Sequence, residues 1–309
     1  MYLVTGGGGF IGSHLVRALV QRGERVRVLD NSSSGSPRRI ADVLKRVEWV
    51  DGDVCDLDAV RRACLGVEVV LHHAAVASVP RSIAEPMLAH ASNVTGTLHV
   101  LMAACYAGVR RVVFASSSAV YGNLATTPKA EGLPTQPLSP YGVQKLAAES
   151  YCRIWHSIYG LETVALRYFN VFGPFQDPQS EYAAVIPRFI SRVLAGAPPV
   201  IYGDGEQSRD FIYISNVVDA NLLAAVTPQA AGTVMNVGTG AKVTLNQLVA
   251  ELGRSIGRPI QASYEDARPG DVRESLADIS LLRATLGYEP TMSFSEGLQR
   301  TFQAFQAEA

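Results

Sequence analysis

The chain has 309 residues, 48% of them hydrophobic and 18% charged, with a formal net charge of -1. That length buries a substantial core and suits one large domain with a smaller one attached. With near-neutral charge and Arg38-Arg39 as its longest basic cluster, the composition excludes a broad electrostatic footprint for nucleic acid or an acidic membrane surface and favours a small-molecule partner.

From the N-terminus, Met1 runs directly into "YLVTGGGGFIG", which leaves no charged leader or cleavage site. No stretch approaches the run of about 18 apolar residues that a membrane span needs. A cytoplasmic chain is expected. Cys55, Cys64, Cys105 and Cys152 lie far apart, without a CxxC pair or a histidine at ligand spacing, so they read as buried small apolar groups in a reducing compartment and no metal is expected.

Short apolar runs begin at Tyr2, Arg25, Val47, Val67, Arg110 and Leu161. Helical periods over 11–21, 58–64, 87–106 and 141–159 separate them. Continuous valine-rich strands are what a sheet covered on both faces requires, so the expected fold class is α/β, a Rossmann-type doubly wound parallel sheet. After Asn170 the alternation breaks down: "NVFGPFQDPQS" reads as a loop, and "IYGDGEQSRDFIYI" as a loop leading into a strand. Helical stretches follow over 215–225, 245–256 and 293–307. The expected division is a nucleotide-binding domain over 1–170 with a return segment near 211–236, and a smaller C-terminal α/β substrate lobe over 171–309.

"TGGGGFIGSHL" follows the first strand and opens the first helix, with Gly6, Gly9 and Gly12 spaced G-x-x-G-x-x-G. The first glycine allows a tight turn, the second a close approach to a pyrophosphate, and the third close packing of helix on sheet. A glycine-rich turn without a ligand is the other reading. Asp30 ends the second strand 18 residues after Gly12. An acid there accepts from ribose hydroxyls and repels a 2′-phosphate, which favours NAD over NADP, although Arg38 and Arg39 follow in the next loop and could take that phosphate. Asp53 and Val54, ending the third strand, either face the adenine or, for Asp53, cap a helix.

"SPYGVQK" begins a helix with Tyr141 and Lys145 one turn apart on one face. A phenol with an ordinary pKa of about 10 is a poor base at neutral pH. A fixed ammonium and an oxidised nicotinamide beside it would favour phenolate. Alone, a Y-x-x-x-K pair is usually two neighbours on a surface helix. Here Ser116, Ser117 and Ser118 end the preceding strand in "RVVFASSSAVYG", where a hydroxyl can share a substrate oxygen with Tyr141 or simply form a turn.

Taken together, Gly6-Gly9-Gly12, Asp30, "LHHAA", "SSSAVYG", "PYGVQK", "RYFNVFGP" and "GDGEQSRDFIYISNV" resemble the extended short-chain dehydrogenase/reductase family, in particular its nucleotide-sugar 4-epimerases. The resemblance spans nearly the whole chain. It implies an NAD-dependent isomerase with Ser117, Tyr141 and Lys145 as catalytic residues, the serine register being open by one. For the cofactor it implies Phe10 and Ile11 with the glycines, then Asn31, Ser33, Ser34 and Gly35 after Asp30. It adds the floor His73, Ala74 and Ala75, a structural contact from Asn93, and Tyr168 at the nicotinamide. For a UDP-sugar it implies Ser78, Ser118, Asn170, Ala184, Val185, Arg209, Arg268, Asp271 and Ser275, the arginines because a planar guanidinium pairs with phosphate in two bonds.

Related dehydratases and decarboxylases carry acids after the catalytic serine, where this chain has Ser118 and Ala119. Small residues at two pocket positions, Ala184 and Ser275, favour UDP-N-acetylglucosamine and UDP-N-acetylgalactosamine, with UDP-glucose and UDP-galactose as further or principal substrates. The resemblance also implies a homodimer, packed through the two helices over 87–106 and 141–159, although burial within one chain explains the apolar surface of the first as well. A net oxidoreductase and a non-catalytic NAD sensor are the remaining alternatives. The sensor is the weaker, because it needs neither Tyr141 nor Lys145.

Overall fold

The computed structural model describes residues 1–177, 184–267 and 272–308. Six apolar runs form strands β1 (Tyr2–Thr5), β2 (Val26–Asp30), β3 (Val47–Asp51), β4 (Val69–His72), β5 (Arg111–Ser117) and β6 (Glu162–Tyr168). With Val234–Val237 they make a seven-stranded parallel sheet in the order β3-β2-β1-β4-β5-β6 and then Val234–Val237. This is the expected Rossmann-type architecture. The strand order reverses between β1 and β4, and open α/β sheets bind ligands beyond the carboxyl ends of their strands at such a point.

Both faces of the sheet are covered, which is why β4 and the interior of β5 are buried at every position. On one face Leu15, Val16 and Leu19 of the helix Phe10–Gln21 pack with Val217 and Ala224 of the helix Ile214–Val226. On the other, Val60 and Cys64 of Leu57–Cys64 meet Val100 and Leu101 of Gly96–Tyr106 and Ala148 and Cys152 of Pro140–Tyr159.

Several expectations change. The helix over 87–106 is divided into Pro86–His90, a π turn at Ala91–Thr95 and Gly96–Tyr106. Within the π turn Asn93 turns inward and bonds both backbone groups of Val76 and the Gln144 side chain. "NVFGPFQDPQS" contains a strand, Asn170–Phe172, paired in parallel with Phe211–Tyr213. Its neighbours are equally short: Ser208–Arg209 lies between Val243–Thr244 and Glu274–Ser275, and Val200–Tyr202 pairs with Ser263–Glu265. Among the cysteines, all free, Cys64 and Cys152 are buried as expected, whereas Cys55 is exposed in the turn before the helix Leu57–Cys64. Among the described residues no helix is long and apolar enough to cross a membrane.

Candidate active site

β1 ends at Thr5, and Gly6 turns the chain with φ +70°. A Cβ at Gly6 would stand 2.7 Å from the Ala74 amide nitrogen, and one at Gly12 would stand 2.1 Å from the Gly6 carbonyl oxygen. Only glycine permits these two approaches. Gly9 then caps the helix Phe10–Gln21 without any side-chain hydrogen bond, so its first amides open into a cavity of about 620 Å³ whose lining includes Gly6, Gly9, Phe10, Ile11 and Gly12. Uncapped amides at a positive helix end suit a pyrophosphate.

The floor of this cavity is His73, Ala74 and Ala75. Thr5 Oγ1 fixes it by accepting from the His73 and Ala74 amides, both at 3.2 Å. The Thr5 hydroxyl lies 2.7 Å from His72 Nδ1, and His72 Nε2 lies 3.0 Å from Thr97 Oγ1, whose hydrogen goes to the Asn93 carbonyl. His72 therefore donates from Nε2 and accepts at Nδ1, a neutral ring held on both sides. Asn93, expected beside the cofactor, is not in the cavity lining; it supports Val76, which is.

Asn31, Ser33, Ser34 and Gly35 form the wall on the Asp30 side, with Asp53 and Val54 below. The buried Asp30 carboxylate accepts from the Gly8 and Ser32 amides, each at 2.8 Å. Asp53 accepts from Asn31 Nδ2 at 2.8 Å, and the helix cap that Asp53 could have supplied comes from Asp56. Arg39, not Arg38, reaches the cavity, where its guanidinium donates to the Gly8 and Ser34 carbonyls at 3.2 Å. Glycine cradle, uncapped helix start and buried ribose-side acid together fit a dinucleotide with free ribose hydroxyls.

At the other end of the cavity stand Tyr141, Lys145 and Tyr168. Ser139 starts the helix Pro140–Tyr159 by accepting from the Gly142 amide, Pro140 follows at the first turn, and the Tyr141 amide donates to Ser82 Oγ at 3.0 Å. Burial pushes the Tyr141 phenol above its ordinary pKa, and a hydrogen bond with Ser117 pulls the other way. Lys145 donates to the Ala115 carbonyl at 2.8 Å, and its nitrogen stands 5.8 Å from the centre of the Tyr141 ring. Burial brings Lys145 down to about 8. Burial is thus the larger influence on the Tyr141 phenol, and the Lys145 ammonium is engaged at a backbone carbonyl.

The three serines divide by orientation. Ser117 accepts from the Ala119 amide at 3.1 Å and lies near enough to Tyr141 to pull its phenol down. Ser116 donates to Glu149 and lines the dinucleotide cavity, whereas Ser117 and Ser118, which begins the turn Ser118–Tyr121, are in neither cavity lining. Tyr168 donates to Asn221 at 2.9 Å and lies 2.9 Å from His73 Nε2.

A second cavity of about 420 Å³ is lined by Asn170, Ala184, Val185 and Arg209. Both volumes lie in the range of small-ligand sites. The helix Val185–Leu194 starts at Ala184 with no side-chain cap, so a second set of helix amides faces this cavity together with Arg209. Ser275 lies beside Arg209 in parallel register, and its carbonyl accepts from the Asp210 amide at 2.7 Å. Ser78 lines the first cavity instead of the second and caps the helix Val79–Ala84. Arg268 and Asp271 lie outside the described residues. Arg188, Tyr202 and Gln207 also line the second cavity and are not singled out by the sequence, although Gln207 lies within "GDGEQSRDFIYISNV" with Tyr202 just before it; Arg188 carries one signal, its position one helical turn after Ala184.

The chain is similar to known proteins over nearly its whole length. The NAD dependent epimerase/dehydratase family matches residues 2–238. The UDP-glucose 4-epimerase of Mycolicibacterium smegmatis is 37% identical over 308 residues, 98% of each chain. The UDP-N-acetylglucosamine 4-epimerase of Methanobrevibacter ruminantium, solved in complex with UDP-N-acetylmuramic acid, is 42% identical with a TM-score of 0.95, covering 100% of this chain and 98% of that one. The UDP-glucose 4-epimerase of Thermotoga maritima, solved with UDP-glucose, is 38% identical with a TM-score of 0.94 over 99% of both chains.

The site also predicts a pH dependence of stability. Burial lowers His72 and His73 to about 3 and His14 to about 4, with Lys145 adding repulsion at His72 and His73. Below the ordinary histidine value of about 6.5 the unfolded chain binds protons that the folded chain refuses, so stability is full above it and falls as pH drops toward 4. Each such group contributes a slope of about 1.4 kcal/mol per pH unit in that window. Urea unfolding from pH 7 to pH 5 is expected to track this fall, and His72→Asn to flatten it by one group's slope. An unchanged slope in His72→Asn would mean that His72 is not held neutral.

Proposed function

The chain belongs to the NAD dependent epimerase/dehydratase family, and from that premise we propose that it is a UDP-sugar 4-epimerase acting on UDP-N-acetylglucosamine and UDP-N-acetylgalactosamine, with UDP-glucose and UDP-galactose as further substrates. We read residues 1–170 with the return segment 211–236 as its NAD-binding part and the remainder of 171–309 as its substrate lobe. The observation that carries the reading is the pair Tyr141 and Lys145 in the lining of the dinucleotide cavity, with Ser117 near enough to pull the phenol's pKa down and Ser118-Ala119 where a dehydratase needs acids.

The nucleotide diphosphate is assigned to the second cavity, where Arg209 and the helix start at Ala184 offer paired donors. The sugar then reaches toward Tyr141. Ser117 holds the 4-hydroxyl, and Tyr141 removes its proton as C4 is oxidised. NAD, when bound, supplies reversible hydride storage, and its positive nicotinamide offsets the desolvation that raises the phenol. After the 4-keto sugar turns over, Tyr141 returns the proton to the oxygen on the other face. Ser118 and Ala119 have no proton to exchange with ring carbons near neutral pH, so the cycle ends at the epimer. Small side chains at Ala184 and Ser275 leave space for an acetamido group.

Purified protein without added cofactor is expected to convert UDP-N-acetylglucosamine to its 4-epimer, read by proton NMR. Tyr141→Phe should lose that activity roughly a thousandfold while keeping its NAD; turnover near the wild-type rate would remove Tyr141 from this role. Ser275→Tyr should reduce turnover of the acetylated sugars roughly tenfold more than that of UDP-glucose. Equal losses on both would overturn the size argument.

We further propose a homodimer through the outer faces of Gly96–Tyr106 and Pro140–Tyr159. Met87, Tyr106 and Ile158 are 79%, 86% and 70% exposed, a concentration of large apolar side chains on adjoining helices. Ile158→Asp is expected to halve the mass measured by light scattering. A wild-type species that already has the mass of one 33.1 kDa chain would reject this assembly.

A further inference from the structure

The two walls of the dinucleotide cavity meet outside it on one side chain. Arg17, on the helix Phe10–Gln21, donates from Nε to both Asp42 oxygens at 3.0 and 2.9 Å and from its guanidinium to the Arg39 carbonyl. It thereby anchors the segment that follows Asp30, whose Ser34 and Arg39 line the cavity. The same guanidinium carbon stands 4.6 Å from the centre of the Phe175 ring. Phe175 belongs to the segment 173–177 on the opposite wall, where it lines the cavity itself.

His14 completes the arrangement, with its ring centre 5.5 Å from that of Phe175 and its Nε2 donating to the Pro174 carbonyl at 3.1 Å. Burial holds His14 down to about 4, so near neutral pH the ring is uncharged and adds no repulsion to Arg17. Phe175 sits at φ +67°, in the left-handed region that a bulky residue occupies only when its surroundings hold it there. Two residues earlier, a Cβ at Gly173 would come within 2.5 Å of Ile214, so the segment is pressed onto the body of the protein at that end too. The proton chemistry at Tyr141 uses none of His14, Arg17 and Phe175.

We propose that Arg17, Phe175 and His14 form a clasp across the mouth of the dinucleotide cavity, and that this clasp sets how long NAD stays bound. Departure of the dinucleotide requires one wall to move. Movement of the segment 173–177 breaks the ring–guanidinium contact and the His14–Pro174 hydrogen bond together. The inference rests on NAD binding alone, so its failure would leave the assignment of the sugar reaction intact.

The test is the rate at which NAD-loaded protein exchanges its cofactor for radiolabelled NAD on a filter, for the wild type, Phe175→Leu, Arg17→Gln and the double variant. A cation–π contact of this kind corresponds to a release roughly tenfold faster in each single variant. The double variant should be no faster than the faster single, because both remove one contact. Arg17→Lys, which keeps a charge near Asp42 and loses the planar face, should also release faster. The urea midpoint of NAD-free Phe175→Leu should stay at the wild-type value, and Arg17→Gln, which also gives up its bonds to Asp42 and Arg39, is read on release alone. Wild-type release in the single variants, multiplied rates in the double, or an acceleration in Phe175→Leu matched by an equal loss of its NAD-free stability would each overturn the clasp.

Discussion

The constraint on which the sheet and its cavity both depend is the absence of two side-chain carbons. At Gly12 a Cβ would lie 2.1 Å from the Gly6 carbonyl oxygen, and at Gly6 it would lie 2.7 Å from the Ala74 amide. The first approach seats the helix Phe10–Gln21 against the turn after β1, and the second brings that turn onto the residues after β4. These are the strands between which the sheet reverses its order. The fold's topology and its dinucleotide site therefore share one cause. Thr5 extends it: its single hydroxyl oxygen takes the His73 and Ala74 amides and faces His72, so the cavity floor is set by hydrogen bonds that leave His72 no room for a second proton.

The Tyr141 phenol and the Lys145 ammonium share one end of the dinucleotide cavity under opposed pressures. Burial raises the phenol and lowers the ammonium, and Lys145 is engaged at the Ala115 carbonyl. The low-dielectric surroundings that penalise a phenolate would also strengthen its attraction to a cation placed beside it. The role proposed for Tyr141 therefore depends on the positive charge that a bound oxidised cofactor would supply.

How much of this is legible in the sequence depends on where each element gets its stability. The first six strands are legible because each is a continuous apolar run with its own propensity, and the catalytic helix because Ser139 and Pro140 announce its start. The strand Asn170–Phe172 is hidden in a Gly- and Pro-rich segment because its partner Phe211–Tyr213 is remote in the chain and supplies the pairing. Two-residue strands such as Ser208–Arg209 and Glu274–Ser275 have no period to detect. The π turn is equally silent, since it exists to turn Asn93 toward Val76. For the site, the glycines, Asp30, Tyr141 and Lys145 are found by spacing. Arg188 and Phe175 are not, because they reach their cavities through tertiary packing.

One buried network explains why Ser116 and Ser117, neighbours on one strand end, take different parts. Ser116 donates to Glu149, and Arg167 meets the two oxygens of that carboxylate at 2.9 and 2.8 Å. Arg167 continues to the Tyr121 hydroxyl at 2.9 Å, which donates to Asn236 on the strand Val234–Val237 at 2.7 Å. A buried ion pair adds little net stability unless its remaining bonds are satisfied, and here the chain of partners satisfies them. What it contributes is definition. Ser116 is drawn to Glu149 in the core, while Ser117, the last residue of β5, accepts from the Ala119 amide and so starts the turn Ser118–Tyr121. The sheet's two last strands and the helix Pro140–Tyr159 are bound into the same network, so the strand end that carries Ser117 is positioned by the core, and the turn after it fixes the hydroxyl.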